Sequence, residues 1–302
     1  MRRPLDRLNR NAAACPDFMS YLDIRRAIVK REFFVEYQPK VSLVSGAIEG
    51  LEALVRWGHR RLGRLSPDVF IPRLERTDLI HSLTTSVLEE AAATCAALHR
   101  SGSPVGIAVN VAPAAVTESL PKYVDAALHR TRLDHTWLTL EITQSMPFDN
   151  LSKAHSILNA VRGRGVHISL DDFGMGYGSL AQLVTLPFDE IKIDRLFAGR
   201  SGRSIEAAEI ARFTTILGHS LGMRVVAEGV EDRRTLSTLH AMGVDVLQGH
   251  YLSKAVGTAD LLAEFPLIAD RIAGRLGKRS IDLAKEHSLL EAPPGDEHRA
   301  WA

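Results

Sequence analysis

Cysteine is nearly missing from this chain of 302 residues, which carries only Cys15 and Cys95. Two thiols far apart make no disulfide framework, and no Cys-x-x-Cys pair offers a zinc site. A basic surplus is missing as well: 37 Lys and Arg face 36 Asp and Glu, a formal net charge of +1. That balance excludes a protein whose main task is to coat nucleic acid, so neither DNA nor RNA is expected as a partner. No apolar run approaches the roughly 18–20 residues of a membrane span. The Arg-rich start, Met1-Arg2-Arg3-Pro4, lacks the apolar stretch of a secretory signal. Membrane insertion is therefore not expected, and the reading is cytoplasmic. Solenoid repeats are absent too, and no low-complexity tract interrupts the body of the chain.

What is present is the composition of an ordinary globular protein, 45% hydrophobic and 24% charged. Residues 1–18 and 278–302 read as tails, the second ending in a Pro- and Gly-bearing stretch that cannot bury a core. Between them, 19–277, apolar runs at 33–37, 48–57, 106–111, 138–143, 166–172, 190–194, 224–230 and 244–248 predict eight strands. Amphipathic segments at 79–98, 204–221 and 233–242 predict helices, with Gly102, Gly222 and Gly243 near their ends. Eight alternations of this kind predict an α/β fold, a (β/α)₈ TIM-like barrel. One link breaks the rule, because nine residues, 39–47, are too few for a parallel crossover. The first strand is therefore expected to run antiparallel to the others.

Chemistry in such barrels sits at the C-terminal strand ends. There the chain places Glu52 and Arg56, Asn110, Glu141, Asp171 and Asp172, Lys192, Glu228 and Gln248. Alternation sets Ser169 and Asp171 on one face and Ile168 and Leu170 on the other, and likewise separates Glu141 from Leu140 and Ile142. Two like charges about 4 Å apart repel by roughly 4 kcal/mol at an effective dielectric near 20. Five converging carboxylates are thus either partly protonated or held together by cations. With no His or Cys among them, the set favours Mg²⁺ or Mn²⁺, and two ions suit both the ligand supply and phosphodiester hydrolysis. Lys192 reads either as a structural counter-ion or as a group that orients water.

Glu52-Ala53-Leu54, within the run Leu-Glu-Ala-Leu-Val-Arg-Trp at 51–57, resembles the signature of EAL-domain proteins, bacterial cyclic di-GMP phosphodiesterases. The likeness runs from about Asp23 to Ala255 and includes Tyr37-Gln38-Pro39, Phe70-Ile71-Pro72 with Glu75, and Val109-Asn110. It continues through Leu140-Glu141-Ile142-Thr143, Asp171-Asp172-Phe173-Gly174, Ile191-Lys192-Ile193-Asp194-Arg195, Ala227-Glu228-Gly229-Val230-Glu231 and Gln248-Gly249. The resemblance implies a barrel with a reversed first strand, and it implies roles. Glu52, Asn110, Glu141 and Asp171 would ligate one divalent ion, while Asp171, Asp172 and Glu228 would serve a second. Lys192 would hold the nucleophilic water, so that Glu52, Lys192 and Glu228 form the catalytic group. Gln38, Leu54, Arg56, Asp194, Glu231 and Gln248 would bind or wall in the dinucleotide, with Arg56 on a phosphate. The implied reaction opens cyclic di-GMP to linear pGpG.

Departures from the family pattern fall mainly on one loop and its anchor. Gln144 stands where the family usually has Glu, Met175 where it has Thr, and Gly178 where it has Ser. A neutral amide in place of an ionised acceptor weakens a hydrogen bond by about 1–2 kcal/mol, and Gly178 adds backbone freedom. Arg60, Asp78 and Ala255 are further departures that read as neutral loop variation. The intact ligand set supports an active enzyme. The altered loop supports the alternative, a weak or inactive EAL barrel acting as a cyclic di-GMP receptor or protein-interaction regulator. The resemblance also implies a homodimer, with regulation expected from a protein partner, from dimerisation or from the tails.

Overall fold

The computed structural model describes residues 20–174 and 180–276. Helix α1 (Tyr21–Val29) opens on a capping box in which Ser20 and Asp23 satisfy each other's backbone N–H groups. It leads into β1 (Phe33–Ser42) and β2 (Ile48–His59), which pair antiparallel through a turn where Gly46 takes φ 69°. The short link thus makes a hairpin, as its length predicts. There follow β3 (Gly63–Leu65), α2 (Pro67–Leu74), α3 (Leu79–Arg100), β4 (Gly106–Val111), α4 (Leu120–Thr131) and β5 (Leu138–Ile142). Then come α5 (Leu151–Arg162), β6 (His167–Phe173), α6 (Leu180–Thr185), β7 (Glu190–Ile193), α7 (Arg195–Ala198), α8 (Ile205–Ser220) and β8 (Arg224–Ala227). The chain continues through α9 (Arg233–Ala241), β9 (Val246–Leu247), β10 (Val256–Gly257) and α10 (Thr258–Leu276).

Strands β2, β4, β5, β6, β7, β8 and β9 pair in parallel, and β1 closes the ring antiparallel to both β2 and β9. The result is an eight-stranded α/β barrel with one reversed strand. Two short strands were not predicted: β3 adds to the far end of β2, and β10 to Glu36 and Tyr37 of β1. Strand β1 also runs to Ser42 rather than stopping at 37. Gln38, Pro39 and Lys40 interrupt its apolar run because its inward face lines a polar interior. Conversely, β8 ends at Ala227, since the chain turns at Gly229 with φ 68°. A side chain there would also strike Arg195, whose Cβ lies 2.5 Å from an ideal Cβ position.

The core lies between the barrel's outer surface and the helices. Ile107, Val109, Val111, Leu138, Leu140, Ile142, Ile168, Leu170, Ile191 and Ile193 are all buried in it. The opposite parity of the same strands carries Ala108, Asn110, Glu141, Ser169, Asp171, Glu190 and Lys192. Barrel interiors are ordinarily filled by branched aliphatics. This one is polar toward its mouth, and that is where the site stands.

Candidate active site

Lys192 of β7 is the centre of the mouth. It is fully buried, and its Nζ lies 2.5 Å from Glu228 Oε1, 2.7 Å from Glu141 Oε2, 3.1 Å from Asp171 Oδ1 and 3.6 Å from Glu52 Oε1. Four elements deliver these carboxylates: β2, β5, β6 and the turn after β8. Glu52 is held from two further sides, accepting from Asn110 Nδ2 at 2.6 Å and from Gln248 Nε2 at 2.5 Å. Gln248 Nε2 also reaches Gln38 Oε1 at 3.1 Å, and Gln38 Nε2 donates to the Ser253 carbonyl at 3.0 Å. The buried Gln248 Oε1 has no partner among the described residues. Gly249, next in the chain, is obligatory: a Cβ there would sit 2.2 Å from the Val230 nitrogen. Its absence lets the backbone after β9 press against the turn that carries Glu228.

Strict alternation would send Asp172 outward. Instead the β6–β7 register shifts between Leu170 and Phe173, so β6 carries one residue more than its partner there. Asp172 takes φ 54°, a left-handed conformation that Asp tolerates better than most residues. Its N–H donates to Asp171 Oδ1 at 2.8 Å. The bulge keeps both consecutive acids within electrostatic reach of the lysine, Asp171 in direct contact with it.

The charges do not balance. Burial, with repulsion from neighbouring acids, raises the pKa of Glu52 and of Asp171, and that of Glu228 well above its ordinary value, although Lys192 opposes the shift in each. Asp172 is pushed up to about 7 by burial and by Asp171, with Lys192 opposing and Asp194 adding. Burial alone would also raise Glu141, but the ammonium groups of Lys192 and Lys40 bring it down to about 2. Lys192, which burial would discharge, is held well above its usual range by the four carboxylates around it. Lys192, with a Lys40 that Glu141 shares with Glu190, thus leaves the group short of positive charge. Ligand oxygens of Glu52, Glu141 and Asp171 lie within 4.8 Å of one another. Three buried hard donors with excess negative charge fit a divalent cation such as Mg²⁺ or Mn²⁺.

The remaining predicted residues divide. Leu54 and Arg56 share the parity of Glu52 on β2, further toward the rim. Arg56 donates through Nε to Glu36 Oε2 at 3.0 Å and through Nη1 to the Val55 carbonyl at 3.0 Å, while Arg64 also reaches Glu36. Asp194 caps α7, accepting from the Leu196 N–H at 2.7 Å, and lies close enough to Asp172 to raise its pKa. Glu231 is exposed on the segment after β8. Gln144 is buried just past β5, and neither its Nε2 nor its Oε1 has a partner among the described residues. Beside it, Ser145 donates to the buried Glu75. Met175 and Gly178 lie outside the described residues, as do Cys15 and the whole of both tails.

Sequence reasoning missed three interior charges: Glu36 and Lys40 on β1, and Glu190 on β7. A signal existed. Glu36, Gln38 and Lys40 recur at every second position, and Glu190 shares the parity of Lys192.

Fold and site define the class: a (β/α)₈ barrel with one reversed strand and a carboxylate-walled mouth suited to divalent cations. More narrowly, the chain belongs to the EAL-domain family, whose sequence profile matches residues 22–255. It is 39% identical over 233 residues, 77% of the chain, to an uncharacterized signaling protein of Caulobacter vibrioides. It is 36% identical over 255 residues, 84% of the chain, to the bifunctional diguanylate cyclase/cyclic di-GMP phosphodiesterase MucR of Pseudomonas aeruginosa. The chain spans 28% and 37% of the lengths of these two relatives. The solved structure of the PaMucR phosphodiesterase in complex with c-di-GMP superposes with a TM-score of 0.74 at 36% identity. The match covers 80% of this chain and 98% of that one. No helix among the described residues is long and apolar enough to cross a membrane.

Proposed function

We propose that this barrel hydrolyses cyclic di-GMP to linear pGpG, with Mg²⁺ or Mn²⁺ bound at two adjoining positions in the mouth. The observation that carries the reading is the convergence of Glu52, Glu141 and Asp171, three buried carboxylates whose charge Lys192 alone does not neutralise. Glu52, Asn110, Glu141 and Asp171 would hold one ion, and Asp171, Asp172 and Glu228 the other. Bound there, divalent ions supply Lewis acidity, easing deprotonation of water and neutralising charge on the phosphate.

The chain's own residues do the rest. Lys192, released from its carboxylates when other positive charge arrives, presents its ammonium to orient the attacking water. Arg56 offers a planar fork to a phosphate once that phosphate competes with Glu36. Leu54, Gln38, Gln248, Asp194 and Glu231 contribute to the dinucleotide pocket. In the reaction the water oxygen bonds to phosphorus, the P–O3′ bond breaks, and a proton ends on the departing 3′ oxygen. Atoms and charge balance, with one ester becoming a 5′-phosphate and a 3′-hydroxyl.

The reading includes a homodimer. Leu180 and Val184 of α6, and Ile205, Phe213 and Ile216 of α8, are strongly exposed aliphatic and aromatic side chains on successive crossovers. One observation favours the second reading, a weak enzyme acting as a cyclic di-GMP receptor. Gln144, buried and without a partner among the described residues, stands where an anchoring acid is expected.

Turnover of cyclic di-GMP by the purified chain, followed by chromatography with Mg²⁺ or Mn²⁺, decides between them, with Glu52→Ala as control. Linear product from the wild type alone establishes the hydrolase. Tight binding by calorimetry without product makes the chain a receptor.

A further inference from the structure

Below the mouth lies a second group of charges that the proposed chemistry does not use. Lys40 shares the inward face of β1 with Gln38, one step deeper in the barrel. Its Nζ lies 3.0 Å from Glu141 Oε1 and 2.8 Å from Glu190 Oε1, and all three side chains are buried. Strand register sets Glu141 beside Ser169, and Ser169 beside Glu190, in one row across β5, β6 and β7. Ser169 Oγ is buried in that row with no partner among the described residues. Glu141 therefore divides its oxygens between two ammonium groups: Oε2 to Lys192 at 2.7 Å on the mouth side, and Oε1 to Lys40 beneath.

We propose that Lys40 and Glu190 form a positioning tier that holds Glu141 for the cation in the mouth. The inference rests on reading the mouth as a metal-dependent phosphodiesterase site. A cation arriving among Glu52, Glu141 and Asp171 repels the Lys192 ammonium that it joins there, so Oε2 becomes available. Lys40 approaches from the opposite side, keeps Oε1, and so fixes the carboxylate plane. Glu190 shares the Lys40 charge and keeps that ammonium from being drawn wholly onto Glu141, where it would compete with the cation. Neither residue is among those that converge as a cation-binding group. Their part is played through Glu141, in the manner of outer-sphere partners that orient metal ligands.

A buried ion pair of merely structural worth can often be replaced by neutral residues without loss of stability. The test uses that fact. In the full chain, Lys40→Met with Glu190→Gln removes one charge of each sign. Thermal melting, Mn²⁺ calorimetry, and kcat and KM for cyclic di-GMP are then measured. The expected result is a melting temperature near that of the wild type, with Mn²⁺ affinity weakened about 10–100-fold. At limiting Mn²⁺, kcat falls with it, while KM for the dinucleotide stays in place. Wild-type Mn²⁺ affinity and kcat in the double variant would overturn the proposal. If the double variant does not fold, Glu190→Gln alone decides: affinity about tenfold weaker supports the tier, and unchanged affinity sinks it. A wild-type chain that neither binds Mn²⁺ nor turns over substrate would refute the reading of the mouth itself, a different failure visible before any variant is made.

Discussion

Asp172 donates its backbone N–H to the Asp171 carboxylate at 2.8 Å, and both of these consecutive acids feel the ammonium of Lys192. Neighbours on a regular strand cannot do this. The register shift on β6 and the left-handed backbone of Asp172 make it possible, and they create a carboxyl group with an unusual titration.

That titration gives the first prediction. Asp172 is raised from 3.8 to about 7 in the fold. A group raised on folding contributes stability at low pH and loses it as pH climbs through its folded value. The ion-free protein should therefore lose stability from Asp172 between about pH 4 and 7. A cation needs the ionised carboxylate, so the gain in melting temperature on adding Mn²⁺ should grow between about pH 6 and 8. Melting curves with Mn²⁺ or with chelator check this, and Asp172→Asn should flatten the difference.

Lys192 is the only ammonium within reach of Glu52, Asp171 and Glu228 among the described residues. Lys192→Met should destabilise the ion-free fold by about 3–5 kcal/mol, because it leaves buried carboxylates without a counter-charge. Adding Mn²⁺ should restore much of that loss, as read by chemical denaturation, while turnover stays abolished. A variant that Mn²⁺ cannot rescue would show that the charge deficit is not what a cation fills.

Gln144→Glu places an ionisable acceptor where the buried amide has no partner among the described residues. A charge-assisted hydrogen bond stronger by about 1–2 kcal/mol shifts a loop equilibrium about tenfold. The expected outcome is a kcat higher by about that factor, with KM little changed. Equal kcat in the two proteins would separate Gln144 from loop control.

Phe213 is more than half exposed on α8. Phe213→Glu should leave the monomer fold unchanged, since the side chain is more than half exposed and outside the core, and convert a dimer to monomers by light scattering. If oligomeric state is unaltered, the apolar faces of α6 and α8 are not the contact between copies.

Much of this molecule is legible in its residues alone. Eight apolar runs separated by amphipathic segments dictate parallel strands with helical crossovers, and the nine-residue link at 39–47 dictates the reversed strand, because loop length limits connectivity. Alternation within β5 and β6 already places Glu141 and Asp171 opposite their aliphatic neighbours. Local pattern carried these features because each depends on residues close in the chain. Other features depend on strands distant in sequence. The bulge that turns Asp172 inward is a mismatch between β6 and β7. The extra strand β10 pairs with residues more than 200 positions upstream. Lys40 looks like a break in an apolar run until the barrel closes and sets it between Glu141 and Glu190. Sequence offered a counter-ion and a water-holding group as alternatives for Lys192. Only closure brought four carboxylates, from separate elements, within 3.6 Å of its Nζ. Chain-local chemistry determined which residues could line a polar mouth, and long-range pairing decided which charges meet there.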